Sequence, residues 1–432
     1  MAQAPPPPAV VQNPFVDLLD LVSAKLGGLP LATSDEFFAE KENLLKPEPA
    51  EFVVGAFTDR GKWMDGWESR RNRDPDKDHD WVVVRLGLPG AVRGVDVDTS
   101  YFVGNAPEEV CIEGLDHVGA LRPHEVAAIP ESAWLTLVPR TRVERGAHNY
   151  LELQASAQIR VTHLRLRMFP DGGIARFRAY GTVVPDWSRL VPGLLVDLAS
   201  IAWGGKALAS NDSFFSPRDN INLPWSSRRM DDGWETRRRR TYNASADGGD
   251  WLLLALGRPG VIRQAVVETH HFKGNPPDRV RIEALHLPGA DAPTALAATG
   301  WRTLLTDQPV EQHQTHTFTH ELADLGVVTH VRLIINPDGG VSRLRLFAAP
   351  HEGHGQPFGP SAGGHGQPFG PSAGGHGQPF GPSAGGLRGD HRRAALPPAG
   401  SRLRGHSCNR CAHGPPDARR HRPRLGHRQP AL

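Results

Sequence analysis

Three blocks of this 432-residue chain occur twice in the same order, and that constrains the fold more than any single motif. Asp20-Leu21, Ser23, Gly27-Gly28, Asp35 and Phe37-Phe38 recur as Asp197-Leu198, Ser200, Gly204-Gly205, Asp212 and Phe214-Phe215, at an offset of 177. DWVVVRLGLPGAVRGVDVDTSYFVGNAP (80–107) answers to DWLLLALGRPGVIRQAVVETHHFKGNPP (250–277) at an offset of 170. HLRLRMFPDGGIARFRAYG (163–181) answers to HVRLIINPDGGVSRLRLFA (330–348) at 167. Between them lie MDGWESRR (64–71) and DDGWETRR (231–238), which agree at six of eight positions. Colinear blocks with small length changes mean that a unit of roughly 170 residues, the size of a domain, has been duplicated. The expected organisation is a first repeat over 14–182, a second over 190–350, and a tail over 351–432.

Inside the repeats the dominant period is two. Leu164, Leu166 and Met168 alternate with Arg165 and Arg167; Val110 and Ile112 flank Cys111; Val95 and Val97 alternate with Asp96 and Asp98. Such alternation marks strands with one buried face. LPGAV and RPGVI offer Pro-Gly turns, and PDGG offers glycines for positive φ. The pattern predicts an all-β fold with one β-sandwich per repeat. Residues 15–26 and 194–202 read as one short amphipathic helix and its copy, and the short link between Gly181 and Val191 predicts that the two domains touch.

Composition bounds the compartment and the ligand. Only Cys111 of the three cysteines lies in the repeats, so no disulfide framework is available and a reducing, cytoplasmic setting fits best. No stretch approaches 18 apolar residues, and MAQAPPPPAVVQNP is not a signal peptide, so no membrane partner is expected. Residues 387–432 carry eleven arginines against two aspartates, a net of +9, so the overall +2 leaves −7 on the rest. An acidic body argues against nucleic acid as a partner. GHGQPFGPSAG occurs three times unchanged from residue 353, and the Arg/Pro/His-rich run after it reads as a disordered or frameshifted extension with no catalytic role.

Three constellations carry chemistry. In DGWE-x-RR, Arg70, Arg71, Arg237 and Arg238 suit a substrate carboxylate, which a guanidinium fork pairs in plane, and Asp65, Glu68, Asp232 and Glu235 are acid/base candidates. The plainer alternative is that these charges pair with one another and pin a loop. A tryptophan among such charges reads as a surface or cleft residue rather than core. In the second constellation, DTSYFVGN (98–105) faces ETHHFKGN (268–275): His271 replaces Tyr101, His270 replaces Ser100, and Lys273 replaces Val103. The second copy is therefore the better catalytic candidate, because imidazole titrates near neutrality. Glu268, His270 and His271 have the types of a metal site but not its geometry, since adjacent strand residues point to opposite faces, and neither metal nor cofactor is expected. The third, PDGG followed by Arg176 or Arg343, reads as a tight turn whose arginine braces it or enters the cleft. No nucleophile elbow, phosphate loop or dinucleotide fingerprint is present.

The paired DGWE-x-RR blocks, the D-T-x-x-F-x-GN-x-P loops and the two PDGG-x-x-R-x-R endings resemble the allantoicase (allantoate amidinohydrolase) family over residues 14 to 350. The resemblance implies two jelly-roll, galactose-binding-like sandwiches, a homo-oligomer, and conversion of allantoate and water to ureidoglycolate and urea. For that chemistry the residues suggest His271, Glu235 and Asp232 for proton transfer. Arg70, Arg71, Arg237 and Arg238 would take the carboxylate, with Lys273 and Asn275 for ureido oxygens and a site between loops of both copies. A non-catalytic carbohydrate- or small-ligand-binding module is the alternative. It would need aromatic platforms, whereas these loops are rich in charge.

Overall fold

The computed structural model describes residues 11–154, 158–239 and 248–351; the glycine-rich repeats and the basic tail lie outside them. The first repeat is built from β1 (Leu19–Asp20), β2 (Leu29–Thr33), β3 (Asp80–Asp98), β4 (Glu109–Leu115), β5 (Leu135–Arg142), β6 (His148–Glu152), β7 (Arg160–Phe169) and β8 (Arg176–Val183). The second repeats the series as β9 (Val196–Asp197), β10 (Lys206–Ser210), β11 (Asp250–Glu268), β12 (Arg279–Leu285), β13 (Arg302–Pro309), β14 (Thr315–Phe318), β15 (Val328–Asn336) and β16 (Arg343–Pro350).

The 19-residue β3 serves both layers of its sandwich. Its first half pairs with β2 and β7, and β7 continues to β4 and β5. Beyond Pro89-Gly90 its second half pairs with β8 and β6, and β8 takes β1 at the edge. All pairs are antiparallel, and β11 plays the same double part in the second repeat. The result is two jelly-roll sandwiches. The alternation read from the sequence holds: Val95, Val97, Val110, Ile112, Leu164, Leu166 and Met168 all lie in the core between the layers. Arg165 and Arg167 lie on the other face of the sheet, where Glu113 and Glu131 pair with them and Trp134 covers the buried Arg165 guanidinium.

Residues 15–26 are not a helix. Leu19–Asp20 form an edge strand, and only Ala24–Leu26 make a 3-10 turn. Asp20 is the reason: its carboxylate accepts the N–H groups of Val22 and Ala179, so side chain and backbone bind the segment to β8. Gly28 then passes so close that a Cβ would lie 1.8 Å from the Val22 carbonyl oxygen. The copy behaves alike, with a strand at Val196–Asp197 and a 3-10 turn at Ile201–Trp203. Among the described residues the one α-helix is Ala292–Ala297, and no helix is long and apolar enough to cross a membrane.

The repeats do touch. Leu26 and Leu88 of the first pack with Ile201 and Leu223 of the second, and Lys25 Nζ donates to Asn220 Oδ1 at 2.9 Å.

Candidate active site

The repeated motifs, scattered over more than 100 residues of each copy, meet at one end of each sandwich. Trp67 and Trp234 anchor the meeting point and are fully buried, contrary to the surface placement expected for them. Each indole N–H donates to a backbone carbonyl at 2.8 Å, Asp35 for Trp67 and Asp212 for Trp234. Burial is possible because the indole's single polar atom is satisfied and the flanking charges have partners of their own. Trp67-Glu68 pairs as a short strand with Gly173-Ile174, and Trp234-Glu235 with Gly340-Val341. This pairing docks the DGWE segment on the PDGG turn.

The glycines of that turn are required by space. Gly172 and Gly339 have φ of 142° and 131°, and a Cβ on Gly173 or Gly340 would lie 2.0 Å from the ring of Phe102 or Phe272. Those phenylalanines come from the DTSYFVGN and ETHHFKGN loops, which turn through Tyr101 (φ 69°) and His271 (φ 72°), left-handed positions uncommon for such residues. The backbone N–H groups of Gly173 and Gly340 donate to Asn105 and Asn275 carbonyls, so all three motifs are hydrogen-bonded together.

Beneath the DGWE loop sits an arginine of the last strand. Arg343 is fully buried and donates to the carbonyls of Trp225, Asp232 and Ser342, with its Nη2 3.3 Å from the Asp232 carboxylate. Arg176 does the same in the first repeat, pairing with Asp65 at 2.6 Å. Burial alone would raise the Asp65 carboxyl, but Arg176 and the Glu51 N–H bring it below the ordinary range. These arginines brace the loop, and Asp65 and Asp232 are engaged in that brace.

At the rim, Asn105 Nδ2 donates to Glu68 at 2.6 Å, and Asn275 donates to Glu235 in the same way. Burial raises both glutamates above the usual carboxylate range, opposed by the asparagine hydrogen bonds and, for Glu68, by Arg71. The adjacent arginines divide in role. Arg70 and Arg237 close on Asp35 and Asp212, with Nε at 2.8 and 2.6 Å, and lie over Phe37 and Phe214. Arg71 and Arg238 are held more loosely, to Asp171 at 3.1 Å and Asp338 at 3.7 Å, although all four arginine side chains are equally exposed. Arg238 Nη2 also reaches the Gly274 carbonyl, next to Asn275.

Two depressions flank this rim in the second repeat. One, of about 470 Å³, is lined by Asn211, Asp212, Arg237, Arg238, Arg239 and Asp250. The other, of about 600 Å³, is lined by Lys273, Gln312, His313 and Gln314. The segment 273–275 joins them. His271 stands on the second side: its Nε2 is 3.0 Å from the Ser227 carbonyl, and its backbone N–H donates to His313 Nδ1 at 2.9 Å. His270 bonds Thr315 instead, and Glu268 is taken by Arg345. Among the described residues no group of three His, Cys, Asp or Glu side chains could hold a metal.

The structure thus brings Glu235, Asn275 and Arg238 together and sets His271 and Lys273 on the neighbouring wall. The sequence reading passed over His313, whose equivalent is Gly146: the matched bonds Thr269 N–H to Gln314 and Thr99 N–H to Ala147 fix the register. Its signal was a histidine at a left-handed position (φ 55°) that the other copy fills with glycine. Asp35 and Asp212 were also missed as partners; they stand in the first repeated block, far from the arginines in sequence.

Fold and site together define a duplicated jelly-roll protein whose sandwich ends carry a charged, carboxylate-and-arginine cleft. The Allantoicase repeat model matches residues 19–184 and 196–351, and the chain belongs to the allantoicase family. It is 47% identical to a probable allantoicase of Burkholderia pseudomallei over 330 residues, 76% of this chain and 94% of the relative. A probable allantoicase of Pseudomonas aeruginosa is 44% identical over 338 residues, covering 78% and 97%. The crystal structure of allantoicase from Saccharomyces cerevisiae superposes with a TM-score of 0.59 at 33% identity, covering 77% of this chain and 93% of that one.

Proposed function

We propose that the cleft of the second repeat is where the chain hydrolyses allantoate to ureidoglycolate and urea. Hydrolysis of allantoate is the activity that the family relationship supports; carbohydrate binding without catalysis is not favoured. The observation that carries the site is the buried Glu235, raised in pKa and held by Asn275, with Arg238 reaching the neighbouring Gly274 carbonyl and lining the adjacent depression.

Allantoate has one carbon bearing a carboxylate and two ureido nitrogens. The C–N bond to one ureido group breaks, a C–O bond to water's oxygen forms, one water proton goes to the departing nitrogen, and urea leaves. Arg238 takes the carboxylate, because the fork of Arg237 is already closed on Asp212. Glu235 moves the proton between water and the departing nitrogen; a carboxyl pushed upward by burial is suited to both halves of that transfer. Asn275 holds Glu235 in orientation, Lys273 serves a ureido oxygen, and His271 assists proton transfer from the adjoining wall. Asp232 keeps the loop in place through Arg343. Turnover belongs to the second repeat because the imidazoles of His270, His271 and His313 are there.

The free thiol of Cys111 fits a cytoplasmic enzyme, and we place the chain there as a homo-oligomer. Incubation with allantoate and measurement of released urea tests the reading. Absence of urea from folded protein refutes it.

A further inference from the structure

The first repeat has no assigned task, yet the loops at the same end of its sandwich are assembled to the same plan. Glu68 accepts from Asn105, Arg71 rests on Asp171, Arg70 closes on Asp35, and Arg176 clamps the loop through Asp65. The Glu68 carboxyl is raised by burial like that of its counterpart. On the adjoining wall Tyr101 stands for His271, Ser100 for His270, Val103 for Lys273 and Gly146 for His313, and on the arginine side Asn72 stands for Arg239 and Ser34 for Asn211. Phe52, from a stretch between Asn43 and Asp65 that is ten residues longer than its counterpart, packs on Tyr101 with ring centroids 5.7 Å apart. None of the three imidazoles of the second repeat is kept at its own position; the histidine on this wall, His148, stands where the second repeat has Thr315 and is held by Asp96 at 2.8 Å. The anion-holding and amide-holding groups remain.

Charges that only pinned a loop would not need this set. Pinning is done by Arg176 and Asp65 below the loop, whereas Glu68, Asn105 and Arg71 stand at the rim. A carboxylate offers two acceptor oxygens side by side, matching the two parallel N–H groups of a ureido function. The Arg71 side chain is 64% exposed and bonded to Asp171 through Nη1, and its remaining guanidinium donors suit a carboxylate. We propose that the cleft formed by Glu68, Asn105 and Arg71 is a second ligand site, which binds ureido carboxylates without turning them over. This rests on the substrate class assigned to the second repeat.

The test uses hydantoate, which has one ureido group and one carboxylate and no second ureido group to lose. Calorimetric titration of the full chain should give two equivalents bound per chain. Glu68→Gln should leave one, since loss of a charged acceptor weakens that site about tenfold or more. Arg71→Ala should also leave one, and Glu235→Gln should remove the other equivalent. Melting curves check that each variant is folded. One equivalent on the wild type, or two on both first-repeat variants, overturns the second site. Glu235→Gln should abolish urea release from allantoate. If it keeps about half, the first cleft turns substrate over and the non-catalytic reading is overturned. A wild type that binds two hydantoates and releases no urea sinks the proposed activity while leaving the second site standing.

Discussion

Arg343→Ala should cost more than any change at the rim, because it removes the clamp beneath the catalytic loop. The wild-type guanidinium is fully buried, serves the carbonyls of Trp225, Asp232 and Ser342, and neutralises the half-buried Asp232. Three carbonyls and one carboxylate therefore lose a donor together. Each unsatisfied buried group costs about 1–3 kcal/mol, but water entering the vacated space recovers part of that, so the separate costs do not add. Breaking a buried pair by truncating one partner costs about 3–5 kcal/mol, which sets the expected loss near 4 kcal/mol. For a domain of this size each kcal/mol lowers Tm by roughly 2–4 °C, giving a fall of about 8–16 °C. The assay is thermal unfolding followed by near-ultraviolet circular dichroism, to which the buried Trp234 contributes. Arg343→Lys should recover part of the loss, keeping the charge but not the fork. A fall of under about 2 °C in Arg343→Ala would refute the reasoning, since it would mean the clamp is not coupled to the stability of its sandwich.

Glu235→Gln should lower kcat about 10²–10⁴-fold. Activity of the wild type should rise with pH as Glu235 loses its proton, at a pH above the ordinary glutamate range because burial raises the group; persistence of that limb in the variant would exclude Glu235 as its source. Arg238→Ala should lower kcat/KM about 100-fold, the scale of a lost charged contact of 2–5 kcal/mol, and Arg237→Ala should lower it less; the reverse order would sink the division of roles. Asp20 is raised by burial to about 6 against an ordinary 3.8, so the folded state holds a proton that the unfolded chain releases. Wild-type stability should therefore fall as pH rises from about 4 through 6, by at most about 3 kcal/mol, and Asp20→Asn should flatten that slope. An equal slope in the variant would show that Asp20 is not the titrating group.

The duplication and the period-two runs made the architecture legible, because both depend only on spacing. The N-terminal segment was misread for a physical reason. Leu18, Leu21, Val22 and Leu26 have helical spacing, but the decisive contact is the Asp20 carboxylate on the Ala179 N–H, 159 residues away. The buried tryptophans were misread because the neighbouring charges suggested water. The carbonyls of Asp35 and Asp212 that accept the indole protons lie 32 and 22 residues upstream. At the site, composition identified the right motifs but could not rank neighbours. Arg237 and Arg238 are equivalent as letters, and only the position of Asp212 commits the first of them.

That ranking explains why DGWE-x-RR was worth retaining twice. Its tryptophan belongs to the core, its first acid to the clamp, its first arginine to an aspartate at the rim, and its glutamate and second arginine to the cleft. The first three roles are met by two partners from outside the loop: Asp35 or Asp212 for the indole and first arginine, Arg176 or Arg343 for the acid. With those charges neutralised locally, the glutamate and second arginine can face a ligand without unbalancing the loop that carries them. Substitutions on the adjoining wall, at Tyr101, Val103 and Gly146 against His271, Lys273 and His313, leave the hydrogen-bonded frame unchanged. A duplicated sandwich could therefore change its acid/base chemistry in one copy while keeping the ability to hold a carboxylate and a ureido group in both.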